Sequence, residues 1–128
     1  DLDKRSLDYS VKCDESQINR VFNNLIINSI HSINSKYKNE PGGSIFIEGS
    51  MNDKYIKIKI LDNGQGLTHK EEDLLKPYFS TKEKNIGTGL GLSIVEKIIS
   101  EHGGNFHIYN LEDKSGACSE FTLRLFND

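Results

Sequence analysis

The chain has 128 residues, enough for one domain that buries roughly two-thirds of its unfolded surface, and too few for a second. Sixteen basic against nineteen acidic residues leave a net charge of -3 and a pI near 5.8, which excludes the basic footprint of a nucleic-acid binder. Hydrophobic residues at 35% and charged ones at 27%, with no long like-charge block, favour folding over disorder. No apolar run approaches the roughly 20 residues of a membrane-spanning helix, and no signal peptide is read in the chain.

Residues 1–12 are charged and weakly patterned, a lead-in segment or short edge strand. A helix is predicted to open at Asp14, whose carboxylate caps backbone N–H groups while Gln17 reaches back. Ile18, Val21, Phe22, Leu25, Ile26, Ile30 and Ile33 then follow at helical spacing, and the helix is expected to end near Ser35 or Lys36, ahead of Glu40-Pro41-Gly42-Gly43. Ser44–Ser50 and Tyr55–Leu61 alternate with period two around Met51–Lys54, the pattern of a hairpin with one apolar face. Thr68–Lys76 reads as a short helix. The glycine-rich run Gly87–Gly91 leads into a second amphipathic helix that stops at His102-Gly103-Gly104. Asn105–Leu111 and Cys118–Phe126 form a closing hairpin around Asp113–Gly116. The order predicts an α+β fold: a two-layer sandwich with helices on one face of a mixed, largely antiparallel sheet.

The two cysteines, Cys13 and Cys118, match neither a CxxC motif nor a disulfide framework, and the four histidines lack metal-ligand spacing. Free thiols in a reducing cytosol are expected. Four short segments carry more information. Asn24 and Asn28 lie four apart on the first helix, hence on one face. They are either its polar side or, through a side-chain carbonyl, a ligand for Mg²⁺. Asp62-Asn63-Gly64-Gln65-Gly66 follows a strand. It is either a plain Asn-Gly turn, or a carboxylate placed for an exocyclic amine beside glycines that admit a flat ligand. Pro77–Lys82 sets Tyr78 and Phe79 beside hydroxyls and a lysine, which suits a core as well as a site. Gly87-Thr88-Gly89-Leu90-Gly91-Leu92 opens a helix, where free N–H groups and the positive helix end favour polyphosphate.

In this order and spacing, NNLIINSI, DNGQGL, PYFSTK and GTGLGLSIV resemble the N, G1, F and G2 boxes of the sensor histidine kinase ATP-binding domain. The likeness runs from about Asp14 to the C-terminus and extends to the GHKL group that includes gyrase B, the Hsp90 chaperones and MutL. It implies a Bergerat-type two-layer sandwich that binds ATP and Mg²⁺ beneath a lid. By motif position, Asp62 would receive the adenine amine, with Gly64, Gly66 and Leu67 beside it. Asn28 would hold Mg²⁺, with Asn24 supporting metal or phosphates. Gly87, Thr88, Gly89, Leu90, Gly91 and Leu92 would wrap the phosphates, Tyr78 and Phe79 would flank the nucleotide, and Lys82 would supply a phosphate-binding cation. Lys84 and His31 are placed to share that last role. Thr122 would reach adenine through water. The chain departs from the family pattern at Ser29, where Ala usually stands, and at His31, where Lys, Arg or Gln is usual. Four residues, Glu83–Ile86, separate Lys82 from Gly87, a short lid like that of the nitrogen-regulation and dicarboxylate-sensing kinases.

GHKL hydrolases tend to carry Glu or Asp one turn before the Mg²⁺ asparagine, as a general base for water. Here that slot holds Asn24, an amide that takes no proton near neutral pH. Such a site suits γ-phosphoryl transfer to an imidazole supplied from elsewhere. None of His31, His69, His102 and His107 is followed by an acidic residue, as the family's acceptor is. The chain is therefore expected to be one catalytic domain, 1–128, whose first 12 residues lead in from a dimerisation and phosphoacceptor domain. The expected partners are that domain and a response regulator, with no nucleic acid and no direct membrane contact. The isolated domain is expected to be a cytoplasmic monomer and the whole protein a homodimer, with any membrane anchor upstream. The alternatives are an anti-sigma-type serine kinase and a degenerate nucleotide-binding docking module.

Overall fold

The computed structural model describes residues 9–11, 13–76 and 91–127, with side chains over 13–76 and 91–125. In chain order the elements are β1 (Tyr9–Val11), α1 (Glu15–Tyr37), β2 (Ile45–Met51), β3 (Tyr55–Asp62), α2 (Glu71–Leu74), α3 (Gly91–Glu101), β4 (Phe106–Asn110) and β5 (Ala117–Asn127). Every ladder among them is antiparallel: β2 with β3, and β3, β4 and β1 each with β5. The predicted hairpins and edge strand are therefore present, on a sheet that is antiparallel throughout its described part.

α1 starts where its cap dictates. Asp14 is extended, and its Oδ1 accepts from Ser16 N–H (3.0 Å), Gln17 N–H (3.2 Å) and the Ser16 hydroxyl (2.9 Å). The side-chain partner of the cap is thus Ser16 rather than Gln17. The Gln17 N–H, then the Ser16 hydroxyl, hold the Asp14 carboxyl below its ordinary value. A carboxylate whose folded value is depressed adds stability at neutral pH and loses it as pH falls through that value. The thermal midpoint of Asp14→Ala should accordingly lie below the parent's at pH 7, and the gap should close as pH drops below the ordinary carboxylate value of about 3.9. Parallel midpoint curves would contradict this reading. Asp14 also donates its own N–H to His102 Nε2 (3.0 Å), while His102 Nδ1 donates to Ile98 O (2.7 Å). That pair ties the start of α1 to the end of α3, and it uses the residue-14 backbone, which the substitution leaves in place.

α1 runs to Tyr37, one turn-position beyond the expected stop, because Lys38 and Asn39 both take left-handed φ and Lys38 N–H still bonds Asn34 O (2.9 Å). Its buried line is Val21, Leu25 and Ser29, whereas Ile30, expected on the core stripe, is 43% exposed. At about 100° per residue Ile30 lies roughly 140° around the helix from Leu25, off the buried line, whereas Ile26 still packs on the core. The predicted helix 68–76 shrinks to Glu71–Leu74. Its cap Lys70 has no side-chain bond, and Pro77 disfavours helix in the residue before it.

One face of the sheet carries Ile60, Phe121, Leu123, Phe106 and Ile108 against Val21 and Leu25 of α1 and Val95, Ile98 and Ile99 of α3. The opposite face carries Lys57, Lys59 and Glu120, with Lys57 and Lys59 Nζ 3.6 and 3.9 Å from the Glu120 carboxylate. Burial would raise Glu120, but the Tyr109 hydroxyl and the two lysines outweigh it and hold the carboxyl below its usual range. Cys118 is buried on this far face and Cys13 is exposed; both are free, and burial pushes the Cys118 thiol up. α2 covers the edge of β4, where Glu71 Oε2 accepts Ile108 N–H (2.7 Å) and lies 3.3 Å from His107 Nδ1. Among the described residues no helix is long and apolar enough to cross a membrane.

Candidate functional site

The site grows from the end of β3. Period-two alternation puts Asp62 on the same face as Ile60, toward the helices, and Asp62 is only 6% exposed. Its Oδ1 accepts the Gly64 N–H (2.9 Å), so the carboxylate is fixed by the loop that follows it. Asn63 is more than a turn residue. Its Oδ1 accepts Ser44 N–H and its Nδ2 donates to Gly42 O, both at 2.8 Å, which pins the loop to the start of β2. The Ser115 hydroxyl donates to Gly64 O from the β4–β5 turn.

Gly64 is buried against α1, where a Cβ would run into the backbone of Ser32 and Ile33. Any side chain there would push the loop off the helix. The contact is reinforced by Gln65 N–H to Ser32 O (3.1 Å) and Gly66 N–H to the Ser32 hydroxyl (3.3 Å). At the other end of the same helix stretch, Asn24 Nδ2 donates to Gly91 O (3.4 Å), the first residue of α3. Among the described residues, a Cβ on Gly91 would meet nothing within 4 Å. Asn24 and Ser32 stand roughly 12 Å apart along the axis, at about 1.5 Å per residue. Half-buried Asn28 and His31 lie between them, both engaged in polar or electrostatic interactions. α1 thus joins the glycine loop to the start of α3.

The structure places Asn24, Asn28 and His31 on α1, Gly64, Gly66 and Gly91 against it, and Asp62 buried on the helix-facing side of the sheet. The side chains of Leu67 and Leu92 pack on the apolar core. Tyr78, Phe79, Lys82, Lys84, Gly87, Thr88, Gly89 and Leu90 lie outside the described residues. Thr122 is a correction. It sits between Phe121 and Leu123, both core residues, so its side chain points to the far face of the sheet, away from Asp62. There its hydroxyl accepts Asn105 N–H (2.9 Å). The hydroxyl on the Asp62 face is Ser119, 5% exposed and paired with Ile60. Its place two residues before an inward phenylalanine is the sequence signal that finds it. Ser32 and Asn110, which hold the loop, carried no motif.

Helices over one face of an antiparallel sheet, with a buried strand-end carboxylate and a glycine loop seated on the first helix, define a nucleotide-binding sandwich domain. Residues 13–127 match the family described as histidine kinase-, DNA gyrase B- and HSP90-like ATPase, and the chain belongs to that family. The sensor histidine kinase ZraS of Escherichia coli O157:H7 is 34% identical over 116 residues, 90% of this chain and 23% of that protein. The nitrogen regulation protein NtrY of Azorhizobium caulinodans is 34% identical over 113 residues, 87% of this chain and 14% of that protein. Among solved structures, the nucleotide-free catalytic domain of histidine kinase ThkA superposes with a TM-score of 0.73 at 31% identity, covering 89% of this chain and 71% of that one. The mycobacterial sensor histidine kinase MprB, at a TM-score of 0.77 and 22% identity over 94% of this chain and 78% of that one, shares the fold. The chain spans less than a quarter of the length of these two curated relatives.

Proposed function

We propose that this domain is the catalytic half of a two-component sensor histidine kinase. It binds Mg-ATP and passes the γ-phosphoryl group to a histidine on a separate dimerisation domain of the same protein. The observation that carries this reading is α1 joining the Asp62 loop to the start of α3, with two asparagines and no carboxylate on the stretch between. The residues present fit the nucleotide. Asp62 would accept the adenine amine beside the close-packed Gly64 and Gly66. Asn28 would hold Mg²⁺, whose charge screens the phosphates, with Asn24 and His31 alongside. The backbone at Gly91 and the residues before it would face the phosphates, and Lys82 would add a cation.

Transfer forms a bond from an imidazole nitrogen to the γ-phosphorus and breaks its bond to the β,γ-bridging oxygen, leaving ADP. In this chemistry the protein mainly positions the reactants and stabilises charge. The Asn24 amide gives water no general base, which favours a nucleophile that needs none. The much greater length of the relatives leaves room for the acceptor and dimerisation helices, to which residues 1–12 would connect. A response regulator would take the phosphoryl group next. We place the domain in the cytoplasm, with any membrane anchor in upstream segments.

Two measurements test this. Mg-ATP at 100 times its dissociation constant should stabilise the domain by about 2.7 kcal/mol in thermal unfolding. No shift at any nucleotide concentration would reject nucleotide binding. With labelled ATP, the 128-residue chain should stay unlabelled alone and should label an added acceptor domain on histidine. Label on serine would favour a serine kinase, and no label a docking module.

A further inference from the structure

Besides the holds from α1, the start of β2 and the β4–β5 turn, the loop after Asp62 is fastened by β4, through a residue outside the four boxes. Leu67 N–H donates to Asn110 Oδ1 (2.6 Å), and Asn110 Nδ2 donates to Leu67 O (3.3 Å). One side-chain amide thus meets one backbone residue with a donor and an acceptor, as a neighbouring strand's peptide group would. Asn110 ends β4, and its register is informative. Ala117 of β5 pairs with Asp62 on one side and with Asn110 on the other. The three form one cross-strand row on the helix face, with Asp62 and Asn110 roughly 10 Å apart, two strand spacings. The loop leaves the row at Asp62 and is fastened back to it at Asn110. Gly66, at φ +86°, lies so close that a Cβ would sit 2.8 Å from Asn110 Oδ1. Only a glycine accepts both that backbone angle and that approach.

We propose that Asn110 is a positioning residue for base recognition: its amide closes the Gly64–Leu67 loop and so sets where the loop backbone and the Asp62 carboxylate meet the purine. The inference rests on the adenine assignment to Asp62. Asn110 is exposed, so each of its bonds competes with water, and the effect comes from having two of them on one residue. Without them the loop and Asp62 must be brought to the adenine amine at the moment of binding, a cost borne by the base that carries that amine.

The test compares ATP with inosine triphosphate, which carries a carbonyl oxygen in place of the adenine amine, by calorimetry on the intact 128-residue chain. Asn110→Ala should weaken ATP about threefold to tenfold and leave the inosine nucleotide nearly unchanged, so the preference for ATP shrinks. Asn110→Asp keeps the acceptor for Leu67 N–H and should fall between parent and Asn110→Ala. Hydrogen exchange at the Leu67 amide should rank the three in the same order. Equal weakening of both nucleotides, or a drop in thermal midpoint with the preference intact, would make Asn110 merely structural and overturn the proposal. Should Asn110→Ala fail to fold, the preference measured in Asn110→Asp decides by itself. Asp62→Asn separates the two readings. If it abolishes the preference while the Asn110 variants keep it, only the positioning role fails. If neither change affects ATP, the adenine assignment fails and this inference with it.

Discussion

Phe121→Ala is expected to lower the folding free energy by about 3–5 kcal/mol, the range for removing a fully buried aromatic ring. Phe121 is 0% exposed and sits mid-strand on β5, paired with Ile58 of β3 and Phe106 of β4. Its ring meets Phe22 of α1 edge-on, with centroids 5.5 Å apart and planes at 79°. It is thus where the central strand and the first helix interlock, and several elements would have to move together to refill the cavity. Against a total of about 5–15 kcal/mol for a domain, the loss is a large fraction. Urea denaturation should show a lower midpoint with an unchanged slope. A loss below about 1 kcal/mol would mean that the two layers do not pack through this ring. Phe121→Leu, which keeps much of the volume, should cost less.

Asp62→Asn should weaken ATP about 10–100-fold, the equivalent of one charge-assisted hydrogen bond of roughly 1.5–3 kcal/mol. The fold offers a way to keep this effect local. Asp62 Oδ1 accepts the Gly64 N–H, and an asparagine oxygen can take over that bond. What changes is the other position, where a second oxygen becomes an NH₂ group that, in the proposed site, would face the amine of the base, donor against donor. The thermal midpoint of the free domain should therefore move little while the dissociation constant rises. Unchanged ATP affinity in calorimetry would remove Asp62 from the base site. A collapse in stability without ligand would show instead that the carboxylate serves the fold.

Most of the fold was legible because it rests on local rules. The cap at Asp14, the 3.6-residue pattern of α1 and the two-residue alternation of β2, β3, β4 and β5 are decided by neighbours in the chain. Two details departed from expectation. Ile30 is exposed because it lies off the Val21–Leu25–Ser29 line of α1, and α2 is short because its cap makes no side-chain bond and Pro77 follows. Thr122 is a different case. The motif position suggested it, yet the alternation of Phe121 and Leu123 already sent its side chain to the far face and Ser119 to the near one.

The site divides along the same line. By itself the sequence determined which residue types stand together: a carboxylate at a strand end, glycines after it, two asparagines one turn apart, and no general base beside them. Those follow from spacing, because a helix turn and a strand pleat have fixed periods. Only the tertiary structure decided how the pieces are held. Ser32 reaches the loop from α1, and Asn110 fastens it from β4 across Ala117; neither lies within four residues of Asp62 in the chain. A hydrogen bond between distant segments leaves no periodic trace in the sequence, so its partners become visible only once the strands are in register.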